Sequence, residues 1–179
     1  MDAQAVLDFW FTETAPAQWW KVDPGFDRLI AERFGELHAQ AARCELFAWR
    51  QTPEGRLAEI IVLDQFPRNM FRGTARAFAT DPLALALAQA AVAAGADQAL
   101  PPARRAFLYL PYMHSESRFI HEVALTLFAA PGLESNLDFE HRHKAIIDRY
   151  GRYPHRNLAL GRDSTVEELA FLKTPGSSF

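Results

Sequence analysis

Prolines in this chain stand at the beginnings of apolar segments. Asp23-Pro24, Thr52-Pro53-Glu54, Asp81-Pro82 and Pro101-Pro102 each precede a run of Leu, Ile, Phe or Ala. A helix leaves the N–H groups of its first turn unpaired, so proline costs nothing there and its fixed φ already suits the helix. A preceding Asp or Thr accepts from those N–H groups. No segment shows the sustained period-two alternation of a half-buried strand. The expected fold class is all-α, an array of antiparallel helices joined by short loops.

Spacing assigns the individual helices. Asp2 caps a first helix whose apolar side holds Val6, Leu7, Trp10 and Phe11. A long second helix runs from Asp23-Pro24 to the early forties on the stripe Phe26, Ile30, Phe34, Leu37, Ala41 and Cys44, which predicts a buried thiol. The helix after Thr52-Pro53 is apolar over most of its circumference (Leu57, Ile60, Ile61, Val62, Leu63, Phe66) and is expected at the centre. Pro67 is expected to end it at Phe66 and to leave residues 68–74 irregular. Asp81 caps a Leu- and Ala-rich helix that Gly95 stops, and Pro101-Pro102 opens another that halts near Pro111. Ser115 or Ser117 starts a helix with Ile120, Val123, Ala124 and Leu127 on one face. Pro131-Gly132 leads to a helix carrying Phe139, His143, Ile146, Ile147 and Tyr150, ended by Gly151. Ser164-Thr165-Val166-Glu167 reads as a capping box before a last short helix and a loose tail at 175–179.

The 179 residues are expected to form a single domain, 1–179, with a substantial core. No apolar run approaches bilayer length, and the N-terminus lacks a basic stretch followed by an apolar one, so a soluble cytoplasmic protein without membrane contact is expected. The single cysteine excludes an internal disulfide and Cys-rich zinc sites. A net charge of −3 argues against nucleic acid as a partner, and Trp10, Trp19, Trp20 and Trp49 read as core residues. Sixteen Arg stand against three Lys, which bears on function only where the arginines cluster.

Four polar clusters break the apolar pattern: residues 64–69, 72–76, 114–116 and 152–157, each beside a proline or glycine. Asp64 continues the face of Leu57, Ile60 and Ile61 at helical spacing, so its carboxylate is expected to be buried and paired with Arg68, Arg72 or Arg76. His114 and Glu116 invite a metal reading, but no His-Glu-x-x-His occurs, and no metal or cofactor is expected. His143 reads as a core histidine and His141 as solvated. Arg152, His155, Arg156 and Asn157 follow a helix stop and can either clamp an anion or satisfy helix carbonyls.

The motifs Val6-Leu7-Asp8-Phe9-Trp10-Phe11, Leu63-Asp64-Gln65-Phe66-Pro67-Arg68-Asn69, Phe71-Arg72-Gly73-Thr74-Ala75, Tyr109-Leu110-Pro111-Tyr112-Met113-His114-Ser115-Glu116 and Tyr150-Gly151-Arg152-Tyr153-Pro154-His155-Arg156-Asn157 carry a further signal. With them the chain resembles, over nearly its whole length, the bacterial family known as domain of unknown function 924. The resemblance implies a fold similar to tetratricopeptide-repeat arrays and no assigned activity, cofactor or substrate.

The leading expectation is a groove lined by Asp64, Arg68, Arg72, His114, Glu116, Arg152, His155 and Arg156 that binds a small anionic ligand or an acidic peptide end. The alternative is a hydrolase-type enzyme, with His114 or His155 as base, Glu116 or Asp64 orienting it, and Arg stabilising an oxyanion. A third reading is a structural or interaction module whose clusters only hold helices together.

Overall fold

The computed structural model describes residues 1–178 and is all-α, with no strand among them. The helices are α1 (Ala3–Asp8), α2 (Pro24–Ala42), α3 (Pro53–Asp64), α4 (Phe66–Met70), α5 (Asp81–Ala93), α6 (Pro102–Met113), α7 (Arg118–Phe128), α8 (Glu134–Tyr150) and α9 (Val166–Phe171). Many of the expected starts and stops form. Asp2 accepts from the Ala5 N–H, Asp23 from Gly25 and Phe26, Thr52 from Gly55, and Ser117 from Ile120. Gly95 and Gly151 take left-handed angles (φ 69° and 70°) where α5 and α8 end. After α1 the chain makes one wider π-turn, Phe9–Glu13. The Trp19 indole N–H donates to the Trp10 carbonyl at 2.9 Å and the Thr14 hydroxyl to the Phe9 carbonyl at 2.7 Å, engaging carbonyls of that turn.

Helix α3 lies at the centre. Every residue from Leu57 to Asp64 is buried, and the helix packs on α1, α2, α5 and α6. Phe9, Trp10, Phe34 and Phe66 form an aromatic knot beside it, with ring centroids 4.8 Å apart for Phe9–Phe34 and 4.7 Å for Phe34–Phe66. Such total burial forces any carboxylate on α3 to find a cation. Glu59, fully buried, receives both arms of the Arg50 fork at 2.7 Å. A smaller cluster of Ile146, Ile147 and Tyr153, with Tyr150 and Phe171 against it, holds the C-terminal end.

Several expectations are corrected. Cys44 is exposed, because α2 ends at Ala42 and Cys44 turns away with φ 60°, off the helical stripe. Pro67 does not end a helix at Phe66: α3 already ends at Asp64, Gln65 keeps helical angles, and Pro67 sits in the first turn of α4, where its missing N–H costs nothing. Pro111 lies inside α6; the ladder resumes at once, the His114 N–H reaching the Leu110 carbonyl at 2.9 Å. Phe139 is 47% exposed, and Glu140 takes the inward place. Trp20 is exposed too. The capping box is shifted by one residue, to Thr165 and Glu168. Asp81 does not cap α5; Thr80 holds that position, with its hydroxyl donating instead to the Leu63 carbonyl. In the tail Ser177 is buried and bonded to the Leu172 carbonyl, while Phe179 lies outside the described residues.

Candidate functional site

The central helix ends on Asp64, and the polar clusters meet there. Asp64 is wholly buried. Its Oδ1 accepts from His114 Nδ1 at 2.8 Å and lies 3.4 Å from Arg68 Nη1, and its Oδ2 accepts from the Gln65 side-chain amide at 2.5 Å. Burial works to raise the carboxyl, but the Arg68 charge, His114 and the Gln65 amide prevail and hold it well below the usual carboxylate range. The carboxylate therefore fixes the imidazole: Nδ1 carries the proton, and Nε2 points away from Asp64. Burial and the Arg68 charge push His114 below its ordinary value, against the pull of Asp64. That direction favours the uncharged imidazole, whose acceptor is Nε2.

Two guanidinium groups flank this pair. Arg68, from α4, forks onto Asp81 with both bonds at 2.9 Å and also donates to the Asp64 carbonyl. Arg156, from the turn Pro154–Arg156, donates to Asp81 at 3.3 Å and to the His114 carbonyl at 3.0 Å. Its plane rests on Phe78 and Tyr153, 4.6 and 4.7 Å from their centroids. Burial, then Arg68, lowers the Arg156 value. Arg68 and Arg156 thus face Asp64 and Asp81, and the centre is charge-balanced when His114 is neutral. Arg68, Asp81 and His114 are part-exposed, so the cluster reaches the surface on one side.

The structure brings together Asp64, Arg68, His114 and Arg156 of the predicted residues. His155 adjoins them, its ring 5.5 Å from that of Tyr153, and burial pushes it down to about 4. Glu116 is near but differently employed. It takes the Arg162 fork at 2.6 and 2.9 Å and the Tyr153 N–H at 2.7 Å, so it staples the segment after α8. Arg72 and Arg152 lie apart. Arg72 forks onto Asp27 of α2, and Arg152 forks onto Glu168 of α9. Both follow the helix-stapling alternative.

Sequence reasoning missed Asp81, whose Asp-Pro setting reads as a cap, and the partners Asp27, Arg162 and Glu168. It also missed a second pair, His121 with Glu140, both wholly buried. His121 Nδ1 meets Glu140 at 2.6 Å and Nε2 donates to the Ser115 carbonyl at 2.8 Å, while the Tyr153 hydroxyl, 3.3 Å from that Nε2, donates to the Met113 carbonyl. Burial raises Glu140 despite the histidine. A signal existed: Glu140, His143 and Ile147 share one face of α8 at helical spacing. His143 is a core histidine, donating through Nδ1 to the Phe139 carbonyl. No group of three or more His, Cys, Asp or Glu among the described residues is arranged to hold a metal ion, and no helix among them is long and apolar enough to cross a membrane.

Residues 6–176 match the family described as bacterial protein of unknown function (DUF924). A solved protein of unknown function from Agrobacterium tumefaciens is 42% identical, with a TM-score of 0.90 over 96% of each chain. No curated protein matches. The chain belongs to the DUF924 family.

Proposed function

We propose that this family member carries an acid–base site in which His114, oriented by Asp64, takes a proton from a small hydroxyl group or a water. Arg68 and Arg156 stabilise the negative charge left behind. The observation that carries this reading is the 2.8 Å bond from His114 Nδ1 to a fully buried carboxylate. It leaves Nε2 as the acceptor of a neutral imidazole, which is the form a general base needs at neutral pH. The charge balance supports it as well. A resting site with paired cations has nothing to attract a second anion, yet both guanidinium groups are in place when a proton leaves and negative charge appears.

The test is turnover of uncharged substrates, small aryl carboxylic esters and aryl phosphotriesters, chosen because attack by a His-activated water is read directly. Wild type is expected to hydrolyse at least one class, with a rate that falls as pH drops through a value below about 6.5. His114→Ala should lose about a hundredfold or more, partly restored by added imidazole. Equal turnover by wild type and His114→Ala would overturn the reading.

A second reading keeps the same residues as a binding groove for a small anion or an acidic peptide end. It is favoured by Arg156 Nε, a buried donor without a partner. Saturable binding of such ligands without turnover would select it.

A further inference from the structure

We propose that Asp81 is a built-in occupant of an oxyanion seat and thereby decides which ligands the His114 site admits. This rests on the acid–base reading for its purpose but not for its geometry. Asp81 is the first residue of a thirteen-residue helix whose cap position is held by Thr80, so capping makes no demand on its carboxylate. Both oxygens face the Arg68 fork at 2.9 Å, and one also accepts from Arg156 at 3.3 Å. The two arginines come from different parts of the chain, α4 and the turn after α8, and both guanidinium groups stand over Phe78, at 5.8 and 4.6 Å from its centroid. Two cations converging over one ring from separate segments, with a carboxylate between them, is the arrangement that would grip a ligand's carboxylate or phosphate.

The chain fills that seat itself. A tethered carboxylate acts at an effective concentration on the order of millimolar or above, so free oxyanions compete poorly with it. The site beside His114 therefore discriminates against molecules that arrive as free carboxylates or phosphates. Asp81 is half-buried, which keeps the seat within reach of solvent once its charge is removed.

The experiment titrates inorganic sulfate and inorganic phosphate against wild type, Asp81→Asn and Asp81→Glu, following the His114 ring resonances by NMR and heat by calorimetry. Asparagine preserves the shape and removes the charge. Asp81→Asn is expected to bind either anion about tenfold or more tightly than wild type. Asp81→Glu, which keeps a tethered carboxylate, should resemble wild type. Adding Arg156→Met to Asp81→Asn should abolish the new binding. Native-like His114 resonances in each variant establish that it is folded. Should Asp81→Asn not fold, the Asp81→Glu comparison with Asp81→Ser decides, since serine also vacates the seat. The proposal is overturned if vacating the seat gains no affinity, or if wild type already binds these anions as tightly as Asp81→Asn. Loss of the acid–base reading is distinguishable, because His114→Gln in the Asp81→Asn background should still bind sulfate whether or not His114 moves a proton.

Discussion

Replacing Asp64 by alanine removes an acceptor that three side chains share. Arg68 keeps its fork on Asp81 and is not left alone. His114 Nδ1 and the Gln65 amide, the latter 6% exposed, lose the carboxylate that satisfies them. Each abandoned buried donor costs about 1–3 kcal/mol, and release of the carboxylate from its own burial returns part of that. The net expectation is a loss of about 3 kcal/mol. With a urea m-value of about 2 kcal/mol/M for a chain of this size, the midpoint should fall by about 1.5 M at pH 7. A movement under about 0.3 M would refute the reasoning, since it would mean that the orphaned donors find water without cost. The same pair provides an independent check through Asp64→Asn, which keeps the volume. The Asp64 charge holds the His114 value up, so the variant should titrate His114 at lower pH than wild type, and a rise would contradict the assigned geometry.

Stability should fall on acidification from pH 7 to 5. Four histidines (His38, His114, His143 and His155) are held below their ordinary value, His143 down to about 3 and His155 to about 4, chiefly by burial. Their stabilisation is present above the unfolded value of about 6.5 and declines below it by up to about 1.4 kcal/mol per pH unit for each. Glu140, raised by burial, works in the opposite sense and is outnumbered; a flat urea midpoint between pH 7 and 5 would contradict the burial of these rings. Gly55→Ala should lower the melting temperature, because its Cβ would lie 2.0 Å from the Trp49 carbonyl oxygen, a backbone atom that cannot step aside; overpacking of this kind costs about 1–3 kcal/mol, and an unchanged melting curve would refute it. Cys44→Gly should raise stability by up to about 1 kcal/mol, since Cys44 is held at φ 60° on the surface, and a measured loss would show that its side chain makes a contact worth more than the strain.

What this sequence determined by itself was local. Asp23-Pro24, Thr52-Pro53, Gly95 and Gly151 start and stop helices through atoms a few residues away, so their signals survive without knowledge of the fold. The buried run of α3 was legible for a similar reason: apolar residues around a helix have nowhere to go but the interior, and Asp64 at the end of that run had to be paired. Local rules erred where a neighbour outweighed them. The α2 stripe points to Cys44, but the helix has already ended; Asp81 has the setting of a cap, but two arginines claim its oxygens. Which Arg meets which carboxylate was left to the tertiary structure. Arg72 finds Asp27 at 45 residues' distance, Arg156 finds Asp81 at 75, and His114 finds Asp64 at 50. A guanidinium on a long flexible stem suits any carboxylate in reach, and reach is set by how helices pack rather than by sequence spacing. For that reason the residue types of a polar centre could be read from the chain, while the division between the Asp64–His114 pair and the ion pairs that staple other helices was decided only when α3, α4, α6 and the turn after α8 came together.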